Sequence, residues 1–321
     1  MKTPPGLIVT YNPSHKFFTH LNSLYAQLDK IVLVDNGSNP ETQRLLVQEL
    51  RHRKSLLTVI FNQTNLGVAT ALNQGFRWAL EQGYSQIIAF DQDSQPAPGM
   101  VPAMLKIFSA YAKDGRIAVL APAVRDPLVN VQSRYLRSKN SIFFEMTSRN
   151  EHVLENISIV ITSGSLYDLA AYQQLGPFRD DFFIDYVDKE YCLRANQSGY
   201  RVIVACNAYL NHHLGERQKR VFLGRNYYPT FHSPLRWYYI SRNRIPMLKN
   251  YAVRFPHWLL YEILASLNTL KRMLLFETQK IAKLRAFFLG TLDGIRGRMG
   301  KATDEIIRKL QNTNPDKPET N

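Results

Sequence analysis

The chain has 321 residues, 45% of them hydrophobic, and a formal net charge of +14 at pH 7. A chain of this length and composition can bury a substantial core, which predicts a globular protein of one large or two ordinary domains. Its two cysteines, Cys192 and Cys206, are too few for a disulfide framework and form no Cys-x-x-Cys pair, which favours a reducing cytoplasm. No long apolar segment follows the start, so we expect no secretory signal.

The first half of the sequence alternates short apolar runs with amphipathic segments. Continuous apolar strands separated by amphipathic helices are typical of a parallel sheet covered on both faces. The second helix has a specific start, because Asn39 can cap it and Pro40 suits its first position. The predicted elements are strand 6–10, helix 16–28, strand 30–35, helix 40–51, strand 57–61, helix 68–81 and strand 86–90.

Polar residues follow all four of these strands. In parallel sheets, ligands bind beyond the carboxyl ends of the strands, so these residues are candidates for one site, although each could also be a simple turn. No Gly-x-Gly-x-x-Gly follows the first strand, and a nicotinamide-type dinucleotide site is therefore unsupported. The strand-end residues are Thr10 to Pro13, Asp35 to Ser38, Asn62 to Gly67 and Asp91 to Ser94.

The acids at these strand ends indicate two kinds of contact. Asp91 and Asp93 are separated by one residue, and they repel each other unless a cation lies between them. A divalent ion that bridges protein carboxylates to substrate phosphates fits that need. Asp35, at the end of the second strand, is placed to accept from a sugar hydroxyl or a base edge.

The pattern is irregular from about residue 117. The predicted elements here are strands near 118–122 and 158–162, a helix that develops from the alternating apolar and acidic segment 182–194 and ends at 198–199, and a strand at 201–205. Asp185 and Asp188 are three residues apart, so we expect them near one cleft. Glu190 and Arg194, at i and i+4, predict an ion pair that supports the helix.

Positive charge is concentrated near the C-terminal end. Residues 217–301 hold 17 of the 40 Lys and Arg residues but three of the 26 acidic residues. Apolar residues recur at helical spacing beside these cations, which fits amphipathic helices on an anionic membrane, although the same stripes could pack on the rest of the protein. Without a nucleic-acid-binding motif, and with acids at the strand ends, we expect no nucleic-acid partner.

The longest apolar stretch, residues 258–276, is a poor membrane span. Glu262, Asn268, Lys271 and Arg272 interrupt it, and each is costly at the centre of a bilayer. We therefore expect no transmembrane helix. The last ten residues are polar, with Pro315 and Pro318, and their composition predicts disorder.

Short blocks recur in a fixed order between residues 9 and 215. They are Val9 to Pro13, Val34 to Ser38, Asn65 to Ala69 with Leu72 to Gly75, Phe90 to Ser94, Thr162 to Gly164, Phe183 to Glu190 with Arg194, and His212 to Gly215. In this order the blocks resemble those of the family 2 glycosyltransferases. The Asp-Gln-Asp-Ser form and the basic tail are similar to the rhamnosyltransferases that build bacterial cell-surface polysaccharides.

The resemblance implies a GT-A fold, which is an α/β fold with a Rossmann-like, mostly parallel sheet and helices on both faces. Here a basic amphipathic helical C-terminal region follows it. We expect residues 1–216 to bind a nucleotide sugar and catalyse transfer, and residues 217–301, rich in aromatic side chains, to contact the acceptor and the membrane. Residues 302–321 would form a polar, partly disordered tail.

Site residues are carried over from the family position by position. The residues implied in donor binding are Thr10, Tyr11, Asn12, Asp35, Asn36, Asn65, Gly67, Asp91 and Gln92. The implied metal ligands, for Mg or Mn, are Asp91, Asp93 and His212, with His213 as the alternative register. The residues implied on the acceptor side are Ser163, Gly164 and Arg194.

Asp188 matches the family's general base. Transfer with inversion requires a carboxylate that takes the acceptor hydroxyl's proton, while the metal neutralises charge on the leaving diphosphate. Many relatives carry an adjacent acidic pair before this helix, whereas Val187 precedes Asp188 here, so Asp185 stays open as the alternative base.

The resemblance thus predicts an inverting, metal-dependent glycosyltransferase at the cytoplasmic face of the cell membrane, held there peripherally. It would move L-rhamnose from dTDP-L-rhamnose to a lipid-linked saccharide in the synthesis of O-antigen or another surface polysaccharide. Two alternatives stay open. One is the same chemistry with UDP-galactofuranose or UDP-glucose, and the other is a non-catalytic scaffold that binds nucleotide or membrane.

Overall fold

The computed structural model describes residues 2–114, 116–126, 131–140, 142–147, 151–212, 220–222 and 224–311. The chain divides into two compact units. The first is drawn from Met1–Lys139, Phe144–Asp180 and Val187–His213, and the second from Asn140–Phe143, Asp181–Tyr186 and Leu214–Asn321.

The first unit contains most of the strands. Its strands are β1 (Gly6–Thr10), β2 (Ile31–Asp35), β3 (Leu57–Phe61), β4 (Gln86–Asp91), β5 (Gln95–Pro96), β6 (Ile117–Asp126), β7 (Val131–Gln132), β8 (Tyr135–Ser138), β9 (Phe144–Thr147), β10 (Val153–Leu154), β11 (Ile157–Ile159), β12 (Leu166–Asp168) and β13 (Arg201–Asn211). Its helices are α1 (Lys16–Tyr25), α2 (Pro40–His52), α3 (Val68–Glu81), α4 (Met100–Tyr111), α5 (Leu169–Leu175) and α6 (Val187–Gln197).

The main sheet runs in the order β3-β2-β1-β4-β12-β6-β13-β10. The first four of these strands are parallel, β12 is antiparallel to both its neighbours, and β13 is parallel to β6. The register aligns Thr10 with Asp35 and Asp35 with Phe61, so the carboxyl ends of β1, β2 and β3 meet at one edge. This mostly parallel sheet with helices confirms the predicted α/β class.

Apolar side chains on the sheet and on α1 and α4 form the core of the first unit. Ile8, Leu33 and Ile88 from the strands pack with Leu21 and Met104 from the helices, and all five are fully buried. Burying each such side chain contributes about 1.5–3 kcal/mol. This core holds the strand ends in place, so the polar loops that follow them start from fixed positions.

The elements predicted for the first half are confirmed, with small shifts at their ends. The predicted cap of α2 is also confirmed, because the Asn39 side chain accepts from the Thr42 N–H at 2.9 Å. The prediction of α1 to residue 28 was too long, since that helix ends at Tyr25. The strand predicted at 201–205 continues to Asn211, because its far end pairs with β5.

The helix predicted to develop from segment 182–194 begins only at Val187. Phe183, Asp185 and Tyr186 all have positive φ, near +65°, and such residues cannot belong to a right-handed helix. The contacts that hold them in this conformation come from the second unit, far along the chain. The strand predicted near 158–162 is also shorter and ends at Ile159.

The second unit is mainly helical. Its elements are the strands β14 (Arg220–Phe222) and β15 (Arg225–Tyr227) and the helices α7 (Pro234–Tyr251), α8 (Pro256–Phe276), α9 (Lys280–Ile295) and α10 (Asp304–Gln311). Among the described residues, no helix combines the length and apolar character that a bilayer crossing requires, as expected. The segment 312–321, predicted to be disordered, lies outside the described residues.

Helices α7 and α9 pack closely around aromatic side chains. Trp237, Tyr238 and Tyr239 of α7 lie in one buried cluster with Ala286 of α9. A Cβ on Gly290 would lie 2.2 Å from the Tyr238 carbonyl oxygen, so only glycine lets the two helices approach this closely.

A buried ion pair joins the start of α9 to the end of α8. Lys283 Nζ lies 2.7 Å from Glu277 Oε2, and the two side chains are almost fully buried. The other Glu277 oxygen accepts from the Phe231 N–H at 3.1 Å. Because both charges are desolvated, each depends on the other.

We expect Lys283→Ala to lower the free energy of unfolding by about 3–5 kcal/mol, because it leaves the Glu277 carboxylate buried without its cation. Urea denaturation followed by circular dichroism measures the change. Lys309→Ala is the matched control, since Lys309 pairs with Glu305 in solvent and its loss should change stability little. Equal effects of the two substitutions would contradict this account.

Candidate active site

Two carboxylates and an imidazole converge at the edge of the main sheet. Asp91 ends β4, Asp93 follows two residues later, and His212 comes directly after β13. One ligand atom from each of the three lies within 4.8 Å of the others. They meet because β5, which follows Asp93, pairs antiparallel with the end of β13.

The geometry of this cluster suits a divalent cation. His212 Nε2 lies 3.6 Å from Asp91 Oδ2, and His212 Nδ1 lies 3.5 Å from Asp93 Oδ1. Both carboxylates are about half exposed, whereas the imidazole is buried. Carboxylate oxygens bind Mg²⁺ and Mn²⁺, and an imidazole nitrogen adds a ligand common for Mn²⁺ and other transition metals.

The structure brings the three predicted ligands together, with His212 as the histidine within reach. His213, the alternative register, lies outside the described residues.

Two buried serines lie behind the cluster. Ser94 Oγ is 3.2 Å from His212 Nδ1 and also contacts Ser163 Oγ. The Ser163 hydroxyl accepts from the Asp91 N–H at 3.2 Å. A hydrogen bond to one ring nitrogen of a metal ligand fixes the orientation and tautomer of the ring. Ser94 therefore orients His212, a role that sequence reasoning missed because it depends on the pairing of β5 with β13.

Gly164, predicted on the acceptor side with Ser163, is packed against the sheet. Its φ is +75°, and a Cβ there would lie 2.7 Å from Pro122 Cγ. Its N–H donates to the Ala89 carbonyl at 2.7 Å. Close packing and a positive φ therefore account for a glycine at position 164. The acceptor-side roles of Ser163 and Gly164 stay predictions.

Asp35 lies fully buried at the end of β2. Its carboxylate accepts from the Thr10 hydroxyl at 3.3 Å, from the N–H and hydroxyl of Ser38, and from the Gln43 amide at 3.4 Å. The donors satisfy a buried charge that would otherwise be costly. Asp35 thus holds three local segments together. The sequence analysis missed Ser38 and Gln43 as its hydrogen-bond donors. Its contact with the nucleoside stays a prediction.

Asn36 joins the loops that follow β2 and β3. Its amide nitrogen donates to Asn65 Oδ1 and to the Gly67 carbonyl, both at 3.1 Å, and its oxygen accepts from the Leu66 N–H at 3.0 Å. Gly37, with φ of +79°, permits this approach, since a Cβ would lie 2.5 Å from the Thr64 carbonyl carbon. Three of the predicted donor-binding residues, Asn36, Asn65 and Gly67, therefore form one hydrogen-bonded unit.

The loop after β1 is tied to the loop that carries the acids. The Tyr11 N–H donates to Gln92 Oε1 at 2.9 Å, and the Asn12 N–H donates to Ser38 Oγ at 2.8 Å. The Tyr11 ring is about half exposed. The remaining predicted donor residues, Tyr11, Asn12 and Gln92, thus lie on connected loops at the same edge of the sheet.

Asp188 is the second residue of α6, and its Oδ1 accepts from the Lys189 N–H at 2.8 Å. Farther along the helix, Arg194 and Glu190 form the predicted ion pair at 2.9 Å, which confirms it. The Arg194 guanidinium also donates to the carbonyls of residues 175, 176 and 177. These contacts tie α6 to the turn after α5, and the acceptor-side role of Arg194 stays a prediction.

The alternative base, Asp185, belongs to the second unit. Its carboxylate accepts from the Arg236 guanidinium at 3.1–3.3 Å. The neighbouring His232 is half-buried, and burial, followed by the Arg236 charge, lowers the pKa of His232 to about 4. His232 is therefore neutral at pH 7.

Comparison with known proteins places these features in a family. The family model described as glycosyl transferase family 2 matches residues 7–176. A relative from Shigella flexneri, named dTDP-rhamnosyl transferase RfbF, is 30% identical over 307 residues, which cover 92% of this chain and 96% of that protein.

Solved structures show the same fold at low sequence identity. S. aureus TarS 1–349 in complex with UDP-GlcNAc superposes with a TM-score of 0.53 and 21% identity, over 92% of this chain and 81% of that one. GalNAc-T7 with UDP, GalNAc and Mn²⁺ superposes with a TM-score of 0.56 and 15% identity, over 78% of this chain and 48% of that one. This chain therefore spans about half the length of GalNAc-T7. These likenesses show the fold, which is the GT-A fold expected from the sequence.

We expect Ser94→Ala to weaken Mn²⁺ binding about 10–100-fold, because His212 loses the hydroxyl that orients its ring. Asp93→Asn and His212→Ala, which remove ligands, should weaken it further. Titration calorimetry with Mn²⁺ alone measures each affinity. Ser165→Ala is the control, since the hydroxyl of this buried serine donates to the Ile161 carbonyl and not to the His212 ring. Wild-type affinity in Ser94→Ala would show that the hydroxyl has no such role.

Proposed function

The chain belongs to glycosyltransferase family 2, and from that membership we propose that it transfers L-rhamnose from dTDP-L-rhamnose to a lipid-linked saccharide. The product would be O-antigen or another surface polysaccharide. The observation that carries the donor is the 30% identity to a dTDP-rhamnosyl transferase over nearly the whole length of both proteins. The clustered acids and histidine support the metal-dependent chemistry.

The donor would bind across the carboxyl ends of β1 to β4. There the half-exposed Tyr11 ring offers an apolar face for a nucleobase, and the loop hydrogen bonds through Asn36 and Gln92 preorganise the edge of the site. Asp91, Asp93 and His212 would hold Mg²⁺ or Mn²⁺, which supplies neutralisation of the charge on the leaving diphosphate. Asp91 and Asp93 expose their carboxylates toward solvent, so an ion that they held would be accessible to a diphosphate.

The general base would be Asp188, with Asp185 as the alternative. An acceptor hydroxyl attacks the anomeric carbon on the face opposite the nucleotide, so a new C–O bond forms as the bond from carbon to phosphate oxygen breaks. The hydroxyl proton passes to the carboxylate and the electron pair leaves with dTDP. The proton transfer requires one carboxylate near the acceptor hydroxyl, and attack from the opposite face inverts the configuration of the anomeric carbon.

Two rivals share parts of this account. UDP-galactofuranose or UDP-glucose as donor would use the same metal ligands and the same base. A non-catalytic scaffold would have no use for two exposed carboxylates and an oriented imidazole within 4.8 Å. The family membership and this cluster together favour the enzyme.

We expect Asp188→Asn to lower kcat by about 10²–10⁴-fold, the usual contribution of a general base, while dTDP affinity stays unchanged. If Asp188 is the base, Asp185→Asn should lower kcat less than Asp188→Asn does. If Asp185 is the base, Asp185→Asn should lower kcat more. Steady-state release of dTDP with a membrane-extract acceptor measures kcat, and calorimetry measures dTDP binding. Asp304→Asn, in the first turn of α10, serves as the control. Wild-type transfer by both the Asp188 and Asp185 variants would refute the base assignment.

Peripheral attachment to an anionic membrane is the second part of the proposal. Two stripes of exposed apolar residues support it, each residue being between 40% and 77% exposed. The α8 stripe consists of Ile263, Leu264, Leu267, Leu274 and Leu275, and the α9 stripe consists of Ile281, Phe288, Leu292 and Ile295.

Helical geometry places each stripe on one face of its helix. At 3.6 residues per turn, the α8 stripe spans about a third of the circumference and the α9 stripe less. Exposed Lys271 falls within the α8 stripe and exposed Arg285 beside the α9 stripe. An apolar face with cations on it is the arrangement that lies on anionic lipid, and it would bring the enzyme to a lipid-linked acceptor at the cytoplasmic face.

We expect the protein to sediment with phosphatidylglycerol-containing vesicles at low salt and less with neutral phosphatidylcholine vesicles. Phe288→Glu should weaken binding about 10-fold or more, since burying such a side chain contributes about 1.5–3 kcal/mol. Val253→Glu is the matched control, because Val253 is exposed but lies outside both stripes. Absence of binding to anionic vesicles, or equal binding by the two glutamate variants, would remove the membrane part of the proposal.

A further inference from the structure

Segment Asp181–Tyr186 of the second unit has an unusual backbone. Phe183, Asp185 and Tyr186 have φ of +64°, +64° and +65°, and none of them is glycine. Left-handed backbone crowds the Cβ of any L-residue, so such a run persists only where surrounding contacts impose it. The segment carries Asp185. Its last residue, Tyr186, directly precedes Val187, the first residue of α6. The position of Asp185, one of the two candidate bases, therefore depends on the conformation of this segment.

One buried amide gathers the carbonyl groups of this segment. Asn243, on α7, is fully buried, and its Nδ2 donates to the carbonyls of Phe182 at 2.9 Å, Ile184 at 2.8 Å and Asp185 at 3.0 Å. Three carbonyls from a stretch of four residues can point at one nitrogen only if the chain curls around it. The left-handed residues supply that curl.

Other residues of α7 hold the same segment from its sides. Arg242 donates to the Phe182 carbonyl at 3.1 Å, and the Tyr239 ring stacks on the Phe183 ring at 5.1 Å between centroids. At the end of the segment, Arg236 binds the Asp185 carboxylate and Arg244 Nε donates to the Tyr186 hydroxyl at 3.0 Å. Asn243 differs from these described partners, because its single amide nitrogen bonds to three carbonyls around the left-handed residues.

We propose that Asn243 is a positioning residue for sugar transfer, which fixes the backbone of Asp181–Tyr186 and with it the carboxylate of Asp185, one of the two candidate bases. Its catalytic consequence rests on the proposed function, whereas its effect on the segment rests on the contacts alone.

Side-chain chemistry defines the variants. Asn243→Leu keeps the branched shape of the side chain and removes both N–H groups, and Asn243→Asp turns a carboxylate oxygen toward three carbonyl oxygens. Asn243→Ser keeps one donor and is a milder change if the other variants fold poorly. Ser241→Ala is the matched control, because Ser241 is also buried on α7 and its hydroxyl bonds to the carbonyls of residues 237 and 238 of the same helix.

The test combines three measurements on the full chain. Hydrogen exchange by mass spectrometry follows the amides of residues 181–187, calorimetry gives dTDP affinity, and dTDP release from dTDP-L-rhamnose gives kcat, normalised to the folded fraction from circular dichroism. We expect the Asn243 variants to lose protection in this peptide and about 100-fold in kcat, the scale for misplacing a catalytic group by about 1 Å. Their dTDP affinity should stay within twofold of wild type, and Ser241→Ala should match wild type throughout.

Unchanged protection and kcat in folded Asn243 variants would overturn the proposal. A fall in kcat that is matched by lost dTDP affinity, or that disappears on normalisation, would overturn it as well, because it would show only a structural role. If the wild-type chain releases dTDP from no donor, the proposed function fails instead, and the exchange data still decide whether Asn243 holds the segment.

Discussion

A pairing of two short strand segments is the constraint on which the site depends. β5 has two residues, and its register sets Gln95 against Asn211 and Pro96 against Leu210. This antiparallel contact brings the loop with Asp91 and Asp93 against His212, which is far away in sequence. Without it the acids would be an exposed pair at the end of β4, and the histidine a residue that follows β13. Ser94, next to β5, completes the arrangement by bonding to the ring.

The helices of the second unit have inner and outer faces of different character. Its helices bury aromatic and polar residues on their inner faces, and Asn243 and Arg242 on that side bond to the segment that carries Asp185. Their outer faces remain apolar and basic, as the α8 and α9 stripes show. The same helical packing thus leaves the α8 and α9 stripes exposed and fixes the left-handed segment that carries Asp185.

Much of the fold could be predicted because its signals are local. The continuous apolar strands, the Asn39 cap and the polar strand ends each lie within a few residues of the element that they define. The late start of α6 could not, since residues 183–186 are held by α7, which follows them by about fifty residues. The role of Ser94 and the structural contacts of Arg194 were missed for the same reason, because their partners are distant in sequence.

The most direct test is nucleoside diphosphate release by the wild-type protein from a panel of nucleotide sugars, with membrane extract as acceptor, with and without chelator. The account predicts release from dTDP-L-rhamnose, its loss in the chelator and its recovery with Mg²⁺ or Mn²⁺, because Asp91, Asp93 and His212 lie close enough together to hold one ion. Preference for a UDP-sugar would contradict the assignment of dTDP-L-rhamnose as the donor. Undiminished release in the chelator would contradict the metal-dependent mechanism.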